Sequence, residues 1–362
     1  MKLTEHQSLP SSGARSVELF KIEGEQFLAL PQLAEDIAGD PANMNGGDSD
    51  VDVLIYQWRE SEFHEYQRIP SHGNEHISFY AFDGRYFLAV ASIRSGKQPN
   101  FKTSIQSVVY EWQADQFVEF QRFDTFAAKG CKFFSIENQH YIGFSEGVKE
   151  SETDNDKDIN SHLYRWNGEQ FEAFQSLPST WGYDMTFFQM DNRYFLAIAD
   201  NLAASTIYEW NGKQFTSFQA IEAQGGGRHF CYFTANNQHY IAFANLLHDS
   251  TLYCWNGDTF VATQTLTSAG ARSFSVLQAN NETYLFRTNF ITGTREQPVT
   301  EMDSIIYQLK GEQLVETLTY KTDGGTDSNT FNDNNRTYLV VSNSLSKDIR
   351  FKTPSKIYKM TL

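Results

Sequence analysis

A pair made of Ile, Leu or Val followed by Tyr recurs seven times along the chain, at Ile55-Tyr56, Val109-Tyr110, Leu163-Tyr164, Ile207-Tyr208, Leu252-Tyr253, Ile306-Tyr307 and Ile357-Tyr358. Such a period constrains the fold before any local reading does, because each unit must bury a face against its neighbours. Two residues after the tyrosine stands Trp58, Trp112, Trp166, Trp210 or Trp255, with Leu309 and Met360 in the last two copies. Eleven residues after it comes Gln67, Gln121, Gln175, Gln219 or Gln264, with Leu318 in the sixth copy. The seventh tyrosine lies too near the C-terminus to have this segment. Its counterpart is at the other end of the chain, where Gln7-Ser8-Leu9-Pro10 matches Gln67-Arg68-Ile69-Pro70.

Each unit reads as four short alternating segments separated by turn residues, the pattern of a four-stranded propeller blade. In the fourth unit these are strand a over 184–190, b over 194–199, c over 206–210 and, after the Asn211-Gly212 turn signal, d over 215–221. A lone blade has raw edges and an unburied face, so the units must stack. The expectation is an all-β, seven-bladed β-propeller whose N-terminal strand completes the C-terminal blade as its strand d. At 362 residues the chain is long for one domain, but closed all-β architectures often are, and residues 1–362 are read as one propeller.

A formal charge of −16 without a Lys/Arg block disfavours nucleic acid, whose phosphates need a clustered basic surface. No stretch approaches the roughly 20 apolar residues that span a bilayer. Met1 to Pro10 lacks the charged-then-apolar pattern of a signal peptide. Cys131, Cys231 and Cys254 sit in apolar-patterned segments, and so few cysteines read as buried small hydrophobes rather than a disulfide framework.

These residues resemble the epilepsy-associated (EAR/EPTP) repeat family, whose unit carries a Tyr-x-Trp strand, a Phe-x-x-x-Gln strand, a Gly-rich turn and a Tyr-Leu-Ala-Val-Ala strand. The matching residues include Tyr208-Glu209-Trp210, Phe215 to Gln219, Gly225-Gly226-Gly227 and Tyr86 to Ala91. The resemblance covers essentially the whole chain and weakens in the sixth and seventh units, at Leu309, Leu318 and 327–333. It implies a propeller used for recognition, in many members outside the cell or at its surface, with no family-wide catalytic set. In some members it implies calcium in the central channel, held by inner-strand aspartates, which points here to Asp184 and Asp327.

With strand a innermost, the d-to-a turns and b-to-c loops share one face. Long b-to-c insertions at 31–52, 92–106, 146–161, 288–304 and 343–355 decorate it, and the other face has only tight turns. The insertions are either a binding surface or simple length variation, since loops tolerate insertion cheaply. Aligning the inner strands by their aromatics puts Ser16, His76, Gly130, Asp184, His229, Ser273 and Asp327 in one ring facing the channel. One residue earlier come Arg15, Glu75, Lys129, Tyr183, Arg228, Arg272 and Thr326, a basic collar in an acidic protein. This collar either receives an anionic group or is a solvated channel with its charges paired internally.

Trp181, outside the repeat register, is either a rim anchor or folded over the neighbouring blade. Asp48, Asp50 and Asp52, and Asp154, Asp156 and Asp158, alternate as calcium-loop ligands do, yet lack the glycine and later glutamate of a full loop. A hydrated acidic loop is the other reading. His76, His229 and Asp184 converge at the mouth without the spacing of a known chemistry. The expectation is a monomeric, non-catalytic propeller that binds a protein partner; a carbohydrate-binding propeller is the alternative, and an enzyme with its site at the channel mouth ranks last.

Overall fold

The computed structural model describes residues 1–147, 159–221 and 225–362. It contains seven four-stranded antiparallel sheets arranged as a ring, a seven-bladed β-propeller. Blades 1 to 6 run over 18–69, 74–126, 130–177, 182–221, 227–266 and 271–323. Blade 4 is representative, with strand a Gly182–Met190, b Arg193–Asp200, c Ser205–Trp210 and d Phe215–Ile221. Blade 7 takes Gly325–Asp333, Arg336–Asn343 and Ser355–Thr361 from the C-terminal end and Lys2–Leu9 from the N-terminal end as strand d. Strand a of every blade contacts strand a of the next all the way round, blade 7 to blade 1 included. Among the described residues, no helix is long and apolar enough to cross a membrane.

Alternation explains where the apolar residues go. Strand b of each blade reads as a nearly continuous buried run, for example Phe195 to Ala199, because both of its faces are covered by neighbouring blades. Seven apolar clusters result, each straddling two adjacent blades. The recurrent tryptophan of strand c meets the first phenylalanine of its own strand d edge-on or tilted. The centroids of Trp58–Phe63, Trp112–Phe117 and Trp166–Phe171 lie 4.9, 5.1 and 5.0 Å apart, within the range such pairs favour. The three cysteines are free and buried.

The recurrent glutamine has a role that its spacing alone did not disclose. Its carboxamide bonds both backbone groups of one residue on strand d of the next blade. Gln67 donates to the Phe117 carbonyl at 2.8 Å and accepts the Phe117 N–H at 2.9 Å. Gln7 pairs in the same way with Phe63, Gln121 with Phe171, Gln175 with Phe215, Gln219 with Phe260 and Gln264 with Leu314. A one-residue bulge in strand d makes this geometry possible. His6, Tyr66, Phe120, Phe174, Phe218, Thr263 and Thr317 are each skipped in the c–d register, immediately before the glutamine or its leucine replacement. At the junction of blades 6 and 7, Leu318 substitutes for the glutamine and packs against the apolar cluster there, as do Leu3 and Met1.

A second repeat is polar and hidden. Ser107, Ser161, Ser205, Ser250 and Ser304 open or lie within strand c, are fully buried, and accept the N–H of the residue that ends strand b, or in blade 3 of the one just after it, at 2.9 to 3.3 Å.

Replacing Gln121 by alanine leaves the Phe171 N–H and C=O without their partner, and denaturant unfolding should show a loss of about 1–3 kcal/mol. Removing residues 1–9 strips blade 7 of strand d and also removes the Gln7 clamp. That truncated chain should melt well below the full chain; an unchanged melt would contradict closure by the N-terminal strand.

Candidate functional site

The d-to-a turns and b-to-c loops do share a face. Gly73 in the d-to-a turn of blade 1 donates its N–H to Ser49 in the blade 1 insertion. The insertions of blades 7, 1 and 2 are knitted into one cap rather than standing apart. Leu33, Ala34, Leu345 and Phe351 form its apolar centre, with Met44, Ile93, Phe290 and Ile349 around them. The Gly13 N–H reaches the Phe351 carbonyl at 2.8 Å. Arg94 from blade 2 ties the blade 1 insertion down, donating to Asn45 O, Gly46 O and Ser49 Oγ at 2.7 to 2.9 Å.

The acidic run in that insertion is absorbed by the same packing. Asp48 pairs with Lys97 at 2.8 Å, Asp50 accepts from His72 Nδ1 at 2.8 Å and from the Gly96 N–H at 2.9 Å, and Asp52 faces Arg68 at 3.9 Å. Asp154, Asp156 and Asp158 lie outside the described residues. Trp181 folds down over the neighbouring blade, against Phe126 and Ala127 with Ile93 and Ile159 beside it. Its backbone N–H is held by the Asp200 carboxylate.

At the axis, the starts of the inner strands converge as the repeat alignment implies. Arg15, Glu75, Lys129, Tyr183, Arg228 and Arg272 meet around a space of about 50 Å³, with His76, Asp184, His229 and Asp327 just below. The register irregularity at the start of strand a, between Gly182 and Asp184 in blade 4 and at the same place in blades 2, 5, 6 and 7, helps aim these side chains inward. The four cations and Glu75 are all at least nine-tenths buried.

Glu75 is the hub. Its carboxylate lies 2.9 Å from Arg272 Nη2 across the channel, 3.7 Å from Arg15 Nε and 3.8 Å from Lys129 Nζ. Burial by itself would raise the Glu75 pKa, but Arg15, Lys129 and Arg272 together outweigh it and hold the group at about 2. Tyr183 is the second acceptor. Arg272 donates to its hydroxyl, and the guanidinium carbons of Arg228 and Arg272 lie 4.0 and 4.6 Å from its ring centroid, with Lys129 Nζ at 4.8 Å. Burial would push this phenol up, yet the pull of Arg272, Lys129 and Arg228 brings it down to about 7. Desolvation lowers the Lys129 pKa, and it brings Arg228 to about 10.

One layer deeper, His229 Nε2 stands 3.8 Å from Asp184 Oδ2, and its Nδ1 accepts the Phe274 N–H at 3.3 Å. Burial lowers the His76 pKa. Its Nδ1 is 3.8 Å from Cys131 Sγ, but burial pushes that thiol well above its ordinary value, so the pair does not supply a thiolate nucleophile. Asp327 accepts the Val17 N–H at 2.9 Å, and Asp184 accepts from Thr186 Oγ1 at 3.1 Å. Calcium takes six to eight oxygens, and among the described residues no three His, Cys, Asp or Glu side chains converge to hold a metal ion. The two channel aspartates do not fit a calcium site built from such side chains.

The Tyr183 shift has a definite sign. The unfolded phenol titrates near 10 and the native one at about 7, so above pH 7 the native state has lost a proton that the unfolded chain still holds. This group's contribution to stability is absent below pH 7, grows between 7 and 10, and is complete above 10. Phenolate absorbance should show one tyrosine ionising near pH 7, and Tyr183→Phe should abolish that step. Phenolate appearing only in the ordinary range near pH 10 would contradict this electrostatic account.

The repeats have known relatives. The chain matches the EPTP domain over residues 2–59, 62–113, 116–167, 170–211 and 214–256. After the first, each match opens on or just before strand d of one blade and ends at or just past strand c of the next, so the family's unit is offset from the structural blade by one strand. The chain is similar to the thrombospondin-type laminin G domain and EAR repeat-containing protein of Mus musculus, 30% identical over 201 residues, and to that of Homo sapiens, 29% identical over 201 residues. Each alignment covers 54% of this chain and 27% of the relative, so the aligned part is about a quarter of either relative's length. With five matches covering more than half the chain and laid on the blades of a closed ring, the chain belongs to the EPTP domain family.

Proposed function

We propose that this chain is a non-catalytic recognition propeller that docks a protein partner on its loop-bearing face. One observation carries the reading: the b-to-c turns of three consecutive blades present large aliphatic side chains to solvent. Leu202 in blade 4, Leu247 in blade 5 and Val299 in blade 6 are 52%, 57% and 48% exposed. Scattered exposed aliphatics are ordinary, but Leu202 and Leu247 stand at the same place in their blades, two residues past strand b, with Val299 in the b-to-c insertion of the next blade, and aliphatics grouped on one face suit a contact surface.

The turns are also held in shape, which limits the entropy lost on docking. Asp200 Oδ1 accepts the N–H groups of Leu202 and Ala203, and Asn245 Oδ1 those of Leu247 and His248. Gly226 joins the two turns, donating its N–H to Asn201 and accepting that of Leu246, and a side chain there would collide with Asn245 Oδ1, with Leu247 packed close beside it. The relatives' names join EAR repeats to a thrombospondin-type laminin G domain, which supports a place outside the cell or at its surface.

The test is affinity capture from cell-surface extracts with the immobilised chain, with Leu202→Asp/Leu247→Asp as the variant and Val261→Asp, on an outer strand, as the control. The expected outcome is a protein retained by the wild type and the control and weakened about tenfold or more, roughly 1.4 kcal/mol, by the double variant. Equal retention by all three would overturn the choice of face.

A further inference from the structure

We propose that the channel mouth is a binding site for one compact oxyanion, a carboxylate or phosphate group, held between Arg15 and Arg228. Four cations, Arg15, Lys129, Arg228 and Arg272, are buried there around Glu75, and the other two carboxylates that line the space, Asp184 and Asp327, lie one residue further along their strands. Glu75 directs its one short contact to Arg272. Arg15 Nε is left 3.7 Å from that carboxylate, beyond hydrogen-bond distance, and Lys129 Nζ is 3.8 Å away. Among the described residues Arg228 donates to neutral acceptors, Asn201 Oδ1 and its neighbour's carbonyl at Gly227.

Arg15 Nε and Arg228 Nε are buried and have no acceptor among the described residues. A buried guanidinium donor without an acceptor is costly, and here the two arginines that carry such donors line the same space of about 50 Å³. That space is far below the several hundred Å³ of a pocket for a drug-sized molecule, and it suits a group of a few atoms. Guanidinium donors are shaped for oxyanions rather than for a spherical ion. Tyr183 reports on the site, because Arg228, one of the three cations that hold its phenol near neutrality, is one of the two guanidinium groups that an anion would engage. The inference is independent of the partner docked on the turns.

The same chemistry has two sources, a free small anion or a carboxylate delivered by another chain. Inorganic phosphate and acetate probe the first. A short capped peptide with one glutamate, compared with its glutamine twin, probes the second. Each is titrated into the full chain in low-salt zwitterionic buffer, against sodium chloride at matched ionic strength, with melting temperature and Tyr183 phenolate absorbance as readouts.

The expected result is a saturable rise in melting temperature and an upward move of the Tyr183 titration. Both should weaken about tenfold or more in Arg228→Gln and Arg15→Gln, with these variants no less stable than the wild type in anion-free buffer because each removes an unsatisfied buried donor. Saturation by phosphate or acetate assigns a free anion; a response to the glutamate peptide alone assigns a delivered carboxylate. The proposal is overturned if chloride does as much as every oxyanion, or if the wild-type Tyr183 titration does not move with any of them.

Discussion

The ring depends on a glutamine side chain acting as a peptide group. A carboxamide offers one acceptor and a donor in nearly the geometry of a backbone amide, so it can extend the hydrogen bonding of one blade onto the outer strand of the next. Six of the seven blade junctions use it. Outer strands would otherwise present unpaired N–H and C=O groups at the circumference, the usual weakness of a sheet edge. The bulge before each glutamine is the geometric condition for the clamp, because strict alternation would not leave the carboxamide facing the next blade. Where Leu318 replaces glutamine, it packs against the apolar cluster between blades 6 and 7, as Leu3 and Met1 of the N-terminal strand also do. That exception falls at a junction where the strand being held is the N-terminal one.

Closing the ring in this way separates two environments. Between blades, apolar side chains interlock in seven clusters from which water is excluded. Along the axis the same closure forces the first residues of seven strands together whatever their chemistry. Here they include four cations, in a protein whose net charge is −16. Glu75 and Tyr183 are the groups that act most directly on these cations and make this tolerable. Their shared downward shifts from ordinary values, a strongly acidic Glu75 and an unusually acidic Tyr183, reflect how positive the mouth is.

The repeat units, the blade count, the split seventh blade and the collar of residues at the channel mouth were all legible from spacing, because strand alternation and blade closure leave little freedom in where a repeat position goes. The family resemblance is confirmed by matches that end at residue 256, leaving the sixth and seventh units, whose signature residues drift, without one. Other features were not legible. Nothing in the spacing of Glu75 and Arg272, nearly two hundred residues apart, says that they meet across the channel, since that depends on side-chain reach. Nor does the pattern of Asp48, Asp50 and Asp52 show that Lys97, His72, the Gly96 N–H and Arg68 engage them.

What the sequence by itself determined is therefore the scaffold: periodic apolar residues must be buried, and only a closed ring of seven blades buries all of them. What the tertiary structure alone decided is how the irregular residues are used. The cap joining the insertions of blades 7, 1 and 2, the folding of Trp181 over its neighbour and the row of exposed aliphatics on blades 4 to 6 have no period to announce them. They arise from contacts between segments far apart in the chain, and such contacts exist only once closure has brought those segments to the same face.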